Sequence, residues 1–302
     1  MDLLVIPHRN PDPDGERMNA SRDSDLTGSG EMKTAGTSPS HAAMPVVFVG
    51  HGSPENALGN TPFSSTWKHL GKVLPRPALI LSISAHWVIQ EGMAVTAASH
   101  PRTIHDFYGF PPDLYRIKYP APGSPEGAKL VQKLVSNSIA LDYEWGLDHG
   151  TWSVLRHMYP AADIPVIQLS LNYNLPLPLL FRTGERLRPL REQGVMILGS
   201  GNLVHNLMLL DMNAEPYPWA VEFDAIVKNN LVTGDFESLI DYTRYHISSL
   251  AHPTSEHYLP LLCVTGAAGD DRPQFFNETI FGGSVSMRSV IFGLDDKIRY
   301  EA

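Results

Sequence analysis

Four histidines of this chain sit in contexts suited to metal chemistry. His51 lies in Val-Gly-His-Gly-Ser-Pro, His86 in Ile-Ser-Ala-His-Trp, His205 in Gly-Ser-Gly-Asn-Leu-Val-His-Asn, and His257 in Ser-Glu-His-Tyr-Leu-Pro. The first three follow or close an apolar, strand-like run. Imidazole is both a metal ligand and a general acid or base near neutral pH. In an open α/β sheet, chemistry collects in the crevice outside the carboxyl ends of the strands. Histidines repeated at those ends can meet in space although far apart in sequence, and converging imidazoles point to a metal.

The surroundings refine this reading. Glycines flank His51, so its ring can project without steric interference, and the Gly-Ser-Gly turn before His205 lets backbone approach a ligand closely. That turn is not a dinucleotide loop, because residue 204 is Val where G-x-G-x-x-G needs Gly. His86 carries Trp87 beside it, a wall against water or for an aromatic substrate. His149, in Trp-Gly-Leu-Asp-His-Gly-Thr-Trp, reads as a substrate-pocket donor or general acid, against the plain alternative of a packed, hydrogen-bonded histidine. For the stretch around His257 the plain reading is a capping Thr254 or Ser255 and a solvated Glu256. His105, in Thr-Ile-His-Asp-Phe, could line the pocket. The remaining histidines, at 8, 41, 69, 100, 157, 246 and 252, read as surface or core residues.

These side chains need a scaffold, and from residue 45 the sequence alternates strands with longer helical or loop segments. That pattern predicts a single α/β domain with a mostly parallel central sheet, helices on both faces and the metal site at the carboxyl ends of the strands. Strands are expected at 46–49, 78–84, 93–97 (an edge candidate), 166–169 and 195–198, with 258–264 ambiguous. Continuous apolar runs such as Ala-Leu-Ile-Leu-Ser-Ile suit strands covered on both faces. Helices are expected at 125–135, 151–158, 179–192 and 219–233. Residues 99–123 combine Pro, Gly and aromatics in a long irregular loop, the kind that often binds ligands. Residues 1–43 are polar, rich in Ser, Asp, Gly and Pro, and read as a disordered extension before a catalytic domain at 44–302. Met44, directly before the first strand, would serve as an alternative start.

Composition narrows the partners. The chain has 302 residues, 43% hydrophobic and 18% charged, with a formal charge of -9. It lacks a Lys/Arg run able to track a phosphate backbone, so nucleic acid and anionic membrane surfaces are poor partners and a small molecule is the expected one. No stretch approaches the roughly 18 uninterrupted apolar residues of a membrane span, and the N-terminus lacks a secretory signal, so the expected location is cytoplasmic. The single cysteine, Cys263, excludes an intramolecular disulfide framework and reads as a buried structural thiol.

Seven motifs in one order then resemble a known family: Gly50-His51-Gly52-Ser53-Pro54, Ser84-Ala85-His86-Trp87, Thr103-Ile104-His105-Asp106-Phe107, Tyr119-Pro120-Ala121-Pro122-Gly123-Ser124-Pro125, Asp148-His149-Gly150, Gly201-Asn202-Leu203-Val204-His205-Asn206 and Glu256-His257-Tyr258-Leu259-Pro260. From about Pro45 to Phe292 the chain resembles the class III, LigB-like extradiol ring-cleaving dioxygenases, and more closely their 4,5-DOPA dioxygenase branch. The resemblance implies that His51 and His86 are metal ligands and that His257 completes the set. It places His205 beside the metal, as acid/base or fourth ligand, and His149 within hydrogen-bonding reach of substrate or oxygen. It implies a catechol and O2 as substrates, Fe(II) as the working metal and a muconate semialdehyde as product. Trp87 with Phe107 or Tyr108 would pack on the ring; Arg102, Asp106 or Asp148 would meet the amino-acid group of DOPA. One departure matters: the wider superfamily supplies a carboxylate as third ligand where this chain offers His257, which leaves the ion its full divalent charge and favours a deprotonated catecholate. The same ligands suit Zn(II), which is redox-inert.

Two other function classes fit parts of the pattern. A zinc hydrolase could use the same histidines to acidify a bound water, although H-E-x-x-H is absent and Gly199-Ser200-Gly201 lacks the spacing of a serine hydrolase elbow. A non-catalytic metal- or catechol-binding protein would need the ligands without an acid/base histidine.

Overall fold

The structure, a computed structural model, describes residues 43–136 and 138–294; apart from Ala43, the expected N-terminal extension lies outside them. The strands are β1 (Val46–Gly50), β2 (Leu79–Ile89), β3 (Ala94–Thr96), β4 (Ala140–Asp142), β5 (Val166–Asn172), β6 (Val195–Gly201), β7 (Pro273–Phe276), β8 (Ile280–Phe281), β9 (Val285–Ser286) and β10 (Ser289–Phe292). The helices are α1 (Pro62–Val73), α2 (Pro112–Tyr115), α3 (Pro125–Val135), α4 (His149–Met158), α5 (Leu177–Leu187), α6 (Pro218–Thr233), α7 (Phe236–Ile240), α8 (Ser248–Ala251) and α9 (Leu259–Ala268).

Eight strands form one sheet in the order β4-β3-β5-β2-β6-β1-β10-β7. Its centre, β5-β2-β6-β1, is parallel, whereas β10 and β7 add antiparallel to one side and β3 meets β5 antiparallel on the other. Alternation along β1 shows why these apolar runs become central strands: Val46 and Phe48 enter the core on one face, Val47 and Val49 the core on the other. The first core is completed by α3, α5, α6 and α9, the second by α1 and α4. Cys263 is buried on α9, its thiol against the Leu180 carbonyl.

Three expectations are corrected. The strand at 93–97 is not at the edge, because β4 pairs outside it. The ambiguous run at 258–264 is mostly helix α9, all ten of whose residues are buried; a helix that is apolar all round shows no amphipathic period by which sequence could separate it from a strand. The helix expected at 151–158 begins at His149, because the buried Asp148 caps it by accepting the Thr151 N–H.

Candidate metal centre

The four central histidines arrive by different routes. Gly50 of β1 lies opposite Gly201 of β6, and His51 follows directly, its N–H donating to the Gly201 carbonyl at 3.1 Å. His86 does not close its strand. Strand β2 runs on to Ile89, and its register with β5 shifts between Ile83 and Val88, so His86 occupies the irregular stretch, a common device for re-aiming a side chain. His257 lies two residues before α9, its carbonyl taking the Asn202 N–H at 2.9 Å. That approach requires Gly201, since a Cβ there would fall 2.1 Å from the His257 oxygen. His205, past the end of β6, donates its N–H to the Ala251 carbonyl at 2.8 Å. Glycine also matters at position 150, where a Cβ would sit 2.5 Å from Ser84 Oγ and 3.0 Å from His86 Cδ2.

These segments bring the rings together. His51 and His86 approach to 3.0 Å between their Nε2 atoms. The His257 ring lies 5.4 Å from His51 and 5.1 Å from His86, centre to centre, and His149 lies 3.9 Å from His86. His205 is stacked on His257 at 3.5 Å with only 9° between the planes.

Polar or charged partners on the far side of each ring set its tautomer, by hydrogen bonds for His51 and His257 and by the Asp106 carboxylate for His86. The Ser200 hydroxyl has one proton, which goes to the Gly150 carbonyl at 2.6 Å; His51 Nδ1, 3.0 Å from the same oxygen, must therefore be the donor. His86 Nδ1 lies 3.2 Å from Asp106 Oδ2 and His257 Nδ1 lies 3.2 Å from Glu256 Oε1. With Nδ1 protonated in all three, Nε2 carries a bare lone pair. Two such lone pairs 3.0 Å apart repel unless a cation accepts both. At metal–nitrogen distances of about 2.1 Å, that separation corresponds to a ligand–metal–ligand angle of roughly 90°. The His51–His86 pair therefore fits a divalent ion; a ring nitrogen of His149 lies within 4.8 Å of both, and His205, Glu256 and His257 form a second group with the same spacing.

Electrostatics agree. Burial, reinforced by neighbouring imidazoles, holds His51, His86 and His205 well below the ordinary histidine value, and burial brings His257 down to about 3. All four are neutral near pH 7, the form a ligand or base needs. His149 behaves oppositely. Burial disfavours its charge, but Asp106, 2.9 Å from its Nδ1, outweighs burial and raises it. Burial pushes Asp148 up to about 6, with the charge of Asp106 adding to the shift.

Among residues expected to meet substrate, Phe107 sets its ring at 83° and 5.5 Å from His149. His105 engages the Ile117 carbonyl at 3.0 Å and lies among Phe107, Tyr115 and Trp152. Trp87 is buried and stacks on Trp145 at 5.4 Å. Asp106 and Asp148 are committed inside the protein, whereas Arg102 lines a surface cleft with His100, Tyr143 and Trp145.

Sequence reasoning missed three side chains. Ser200 and Glu256 hold the tautomers of His51 and His257, and Asp106, read there only as a partner for a substrate amino group, touches two histidines. Glu256 is buried rather than solvated. With carboxylates behind His86 and His257, the charge of an ion here would be partly compensated although no carboxylate need bind it. For Ser200 a signal was readable: it is a polar residue one position from the end of an otherwise apolar strand beside β1.

A mostly parallel α/β sheet with neutral, pre-oriented imidazoles at its carboxyl edge is a scaffold that could hold a metal ion. The chain belongs to the LigB family: the family description "catalytic LigB subunit of aromatic ring-opening dioxygenase" matches residues 39–290. It is 47% identical over 262 residues to the 4,5-DOPA dioxygenase extradiol of Escherichia coli K12, covering 84% of this chain and 96% of that one. It is 37% identical to the 4,5-DOPA dioxygenase extradiol of Beta vulgaris, covering 81% and 95%. The crystal structure of an uncharacterized Escherichia coli K12 protein superposes with a TM-score of 0.73 at 41% identity, covering 82% of this chain and 99% of that one. The protein is thus an oxidoreductase of the extradiol dioxygenase class. No helix among the described residues is long and apolar enough to cross a membrane.

Proposed function

We propose that the protein cleaves the catechol ring of L-DOPA between carbons 4 and 5 with O2, using Fe(II) held by His51, His86 and His257. The observation that carries the ligand assignment is the pair of Nε2 atoms 3.0 Å apart, His51 held by a hydrogen bond at Nδ1 and His86 by the Asp106 carboxylate 3.2 Å from its Nδ1. Bound Fe(II) would supply a Lewis-acid anchor for the two catechol oxygens and a path for electrons from ring to O2.

The stack of His205 on His257 supports a separate role for His205. With ring centres 3.5 Å apart and only 9° between the planes, the two rings lie face to face, an arrangement that disfavours both as in-plane ligands of one ion. His205 is then the base beside the metal, half-buried and neutral, able to take a hydroxyl proton from the catechol. His149 is the complementary acid: Asp106 holds its proton on Nδ1 and supports the charged ring, so Nε2 can donate. Phe107, edge-on to His149, gives the substrate ring an apolar surface. The likeness to two 4,5-DOPA dioxygenases supports DOPA as substrate and 4,5 as cleavage position.

The test is anaerobic reconstitution of the metal-free protein with Fe(II) and, in parallel, Zn(II), followed by L-DOPA and air. A yellow product with stoichiometric O2 uptake in the iron sample alone is expected. Bound metal without O2 uptake, with DOPA or simpler catechols, would refute this function and favour a zinc hydrolase.

A further inference from the structure

Asp106 makes three contacts, all with groups of the site. Oδ1 accepts the backbone N–H of His149 at 2.9 Å, at the first turn of α4, while Oδ2 accepts a hydrogen bond from His149 Nδ1 at 2.9 Å and sits as a charge partner 3.2 Å from His86 Nδ1. One carboxylate thus grips two imidazoles from different elements. Its own segment is tied down: Ile104 N–H donates to the Leu147 carbonyl at 2.7 Å, the Trp152 indole donates to the Ile104 carbonyl at 2.7 Å, and Thr103 Oγ1 accepts the Tyr119 N–H at 2.9 Å.

We propose that Asp106 is a positioning residue that sets the tautomer and orientation of His86 and His149 together, linking the metal ligand to the proton donor. The inference rests on His86 being a ligand, as argued above. Only an acceptor-only group with two oxygens can do this. An amide in its place has two orientations. With oxygen toward the imidazoles, its NH2 opposes the His149 backbone N–H. With NH2 toward the imidazoles, His86 must accept at Nδ1, which moves its proton onto Nε2, the atom that has to bind the metal.

The test is Zn(II) affinity of the metal-free full chain, by competition with a chromogenic chelator, together with the visible spectrum of the Co(II)-loaded protein. Outer partners of ligating histidines typically contribute about 10–100-fold to metal affinity. Asp106→Asn is expected to lose affinity in that range and to change the Co(II) spectrum. Asp106→Glu, which keeps two acceptor oxygens, should recover part of both. Thr103→Val serves as control, since it loosens the same segment without touching either histidine; it should lower stability and leave affinity and spectrum unchanged. If Asp106→Asn, in a folded sample, behaves like Thr103→Val, the inference is overturned; if the Asn variant fails to fold, the Glu variant decides by the same two readouts. His86→Ala separates the two levels of argument: unchanged affinity there would overturn the ligand assignment itself, independently of any substrate.

Discussion

Replacing Ser200 by Ala removes one hydroxyl and tests how the site is held ready. Ser200 is fully buried in β6, donating to the Gly150 carbonyl at 2.6 Å and accepting from His51 Nδ1 at 3.0 Å. Alanine leaves one buried acceptor and one buried donor unpartnered, at about 1–3 kcal/mol each, so metal-free stability should fall by about 2–6 kcal/mol. His51 also loses the partner that keeps its proton on Nδ1. The expected loss of metal affinity is about 10–100-fold, or about 1.4–2.7 kcal/mol. Ser82 provides the control: its hydroxyl pairs with Thr151 Oγ1 at 2.7 Å, equally buried but apart from any histidine. Denaturant unfolding of both metal-free variants and chelator competition for Zn(II) measure the two quantities. Both variants should be less stable, and only Ser200→Ala should bind metal more weakly. Wild-type affinity in Ser200→Ala, or an equal loss in Ser82→Ala, would refute tautomer control of His51.

Three further outcomes follow from the geometry. His205→Ala should keep its metal and lose about 10²–10⁴-fold in turnover, whereas His257→Ala should lose the metal; metal content and kcat of the two variants measure the difference. Gly150→Ala places a Cβ 3.0 Å from His86 Cδ2 and 2.5 Å from Ser84 Oγ, so it should displace His86 and lower both stability and metal occupancy, read by calorimetry and metal analysis. Stability of the metal-free protein should fall with acid. His252, down at about 4, and His257, down at about 3, sit below the ordinary 6.5, so the unfolded chain gains protons first as pH falls below that value. Each such group costs about 1.4 kcal/mol per pH unit until its folded value is reached. Asp148, raised to about 6 from 3.8, acts in the opposite sense over 6 to 3.8 and offsets one of them. The net is a loss of about 1.4 kcal/mol per unit between pH 6 and 4, steepened by His51, His86 and His205. Urea midpoints that do not change between pH 6 and 5 would contradict this.

Two of the clustered histidines, His51 and His205, were legible in the sequence because strand ends are: Val46–Gly50 and Val195–Gly201 are apolar runs closed by glycine, and chemistry gathers beyond such ends. The partners behind the ligands were not. Asp106 and His149 are 43 residues apart, and only the path of the long loop brings one to the other. Trp87 neighbours the ligand His86 in sequence yet stacks on Trp145, because successive strand side chains point in opposite directions. The His205 stack depends on where the segment before α9 lies, which Gly201 permits without announcing it. Sequence periodicity reports which face of an element is buried; it does not report which polar atom meets which across the fold.

The most direct test of ring cleavage at this histidine centre is to supply Fe(II)-loaded protein and L-DOPA with isotopically labelled O2 in ordinary water and analyse the product by mass spectrometry. Extradiol cleavage predicts labelled oxygen in the newly formed carboxylate, a group that does not exchange with water. A product whose new oxygen comes from water, or labelled product formed equally well by His51→Ala, would contradict the account.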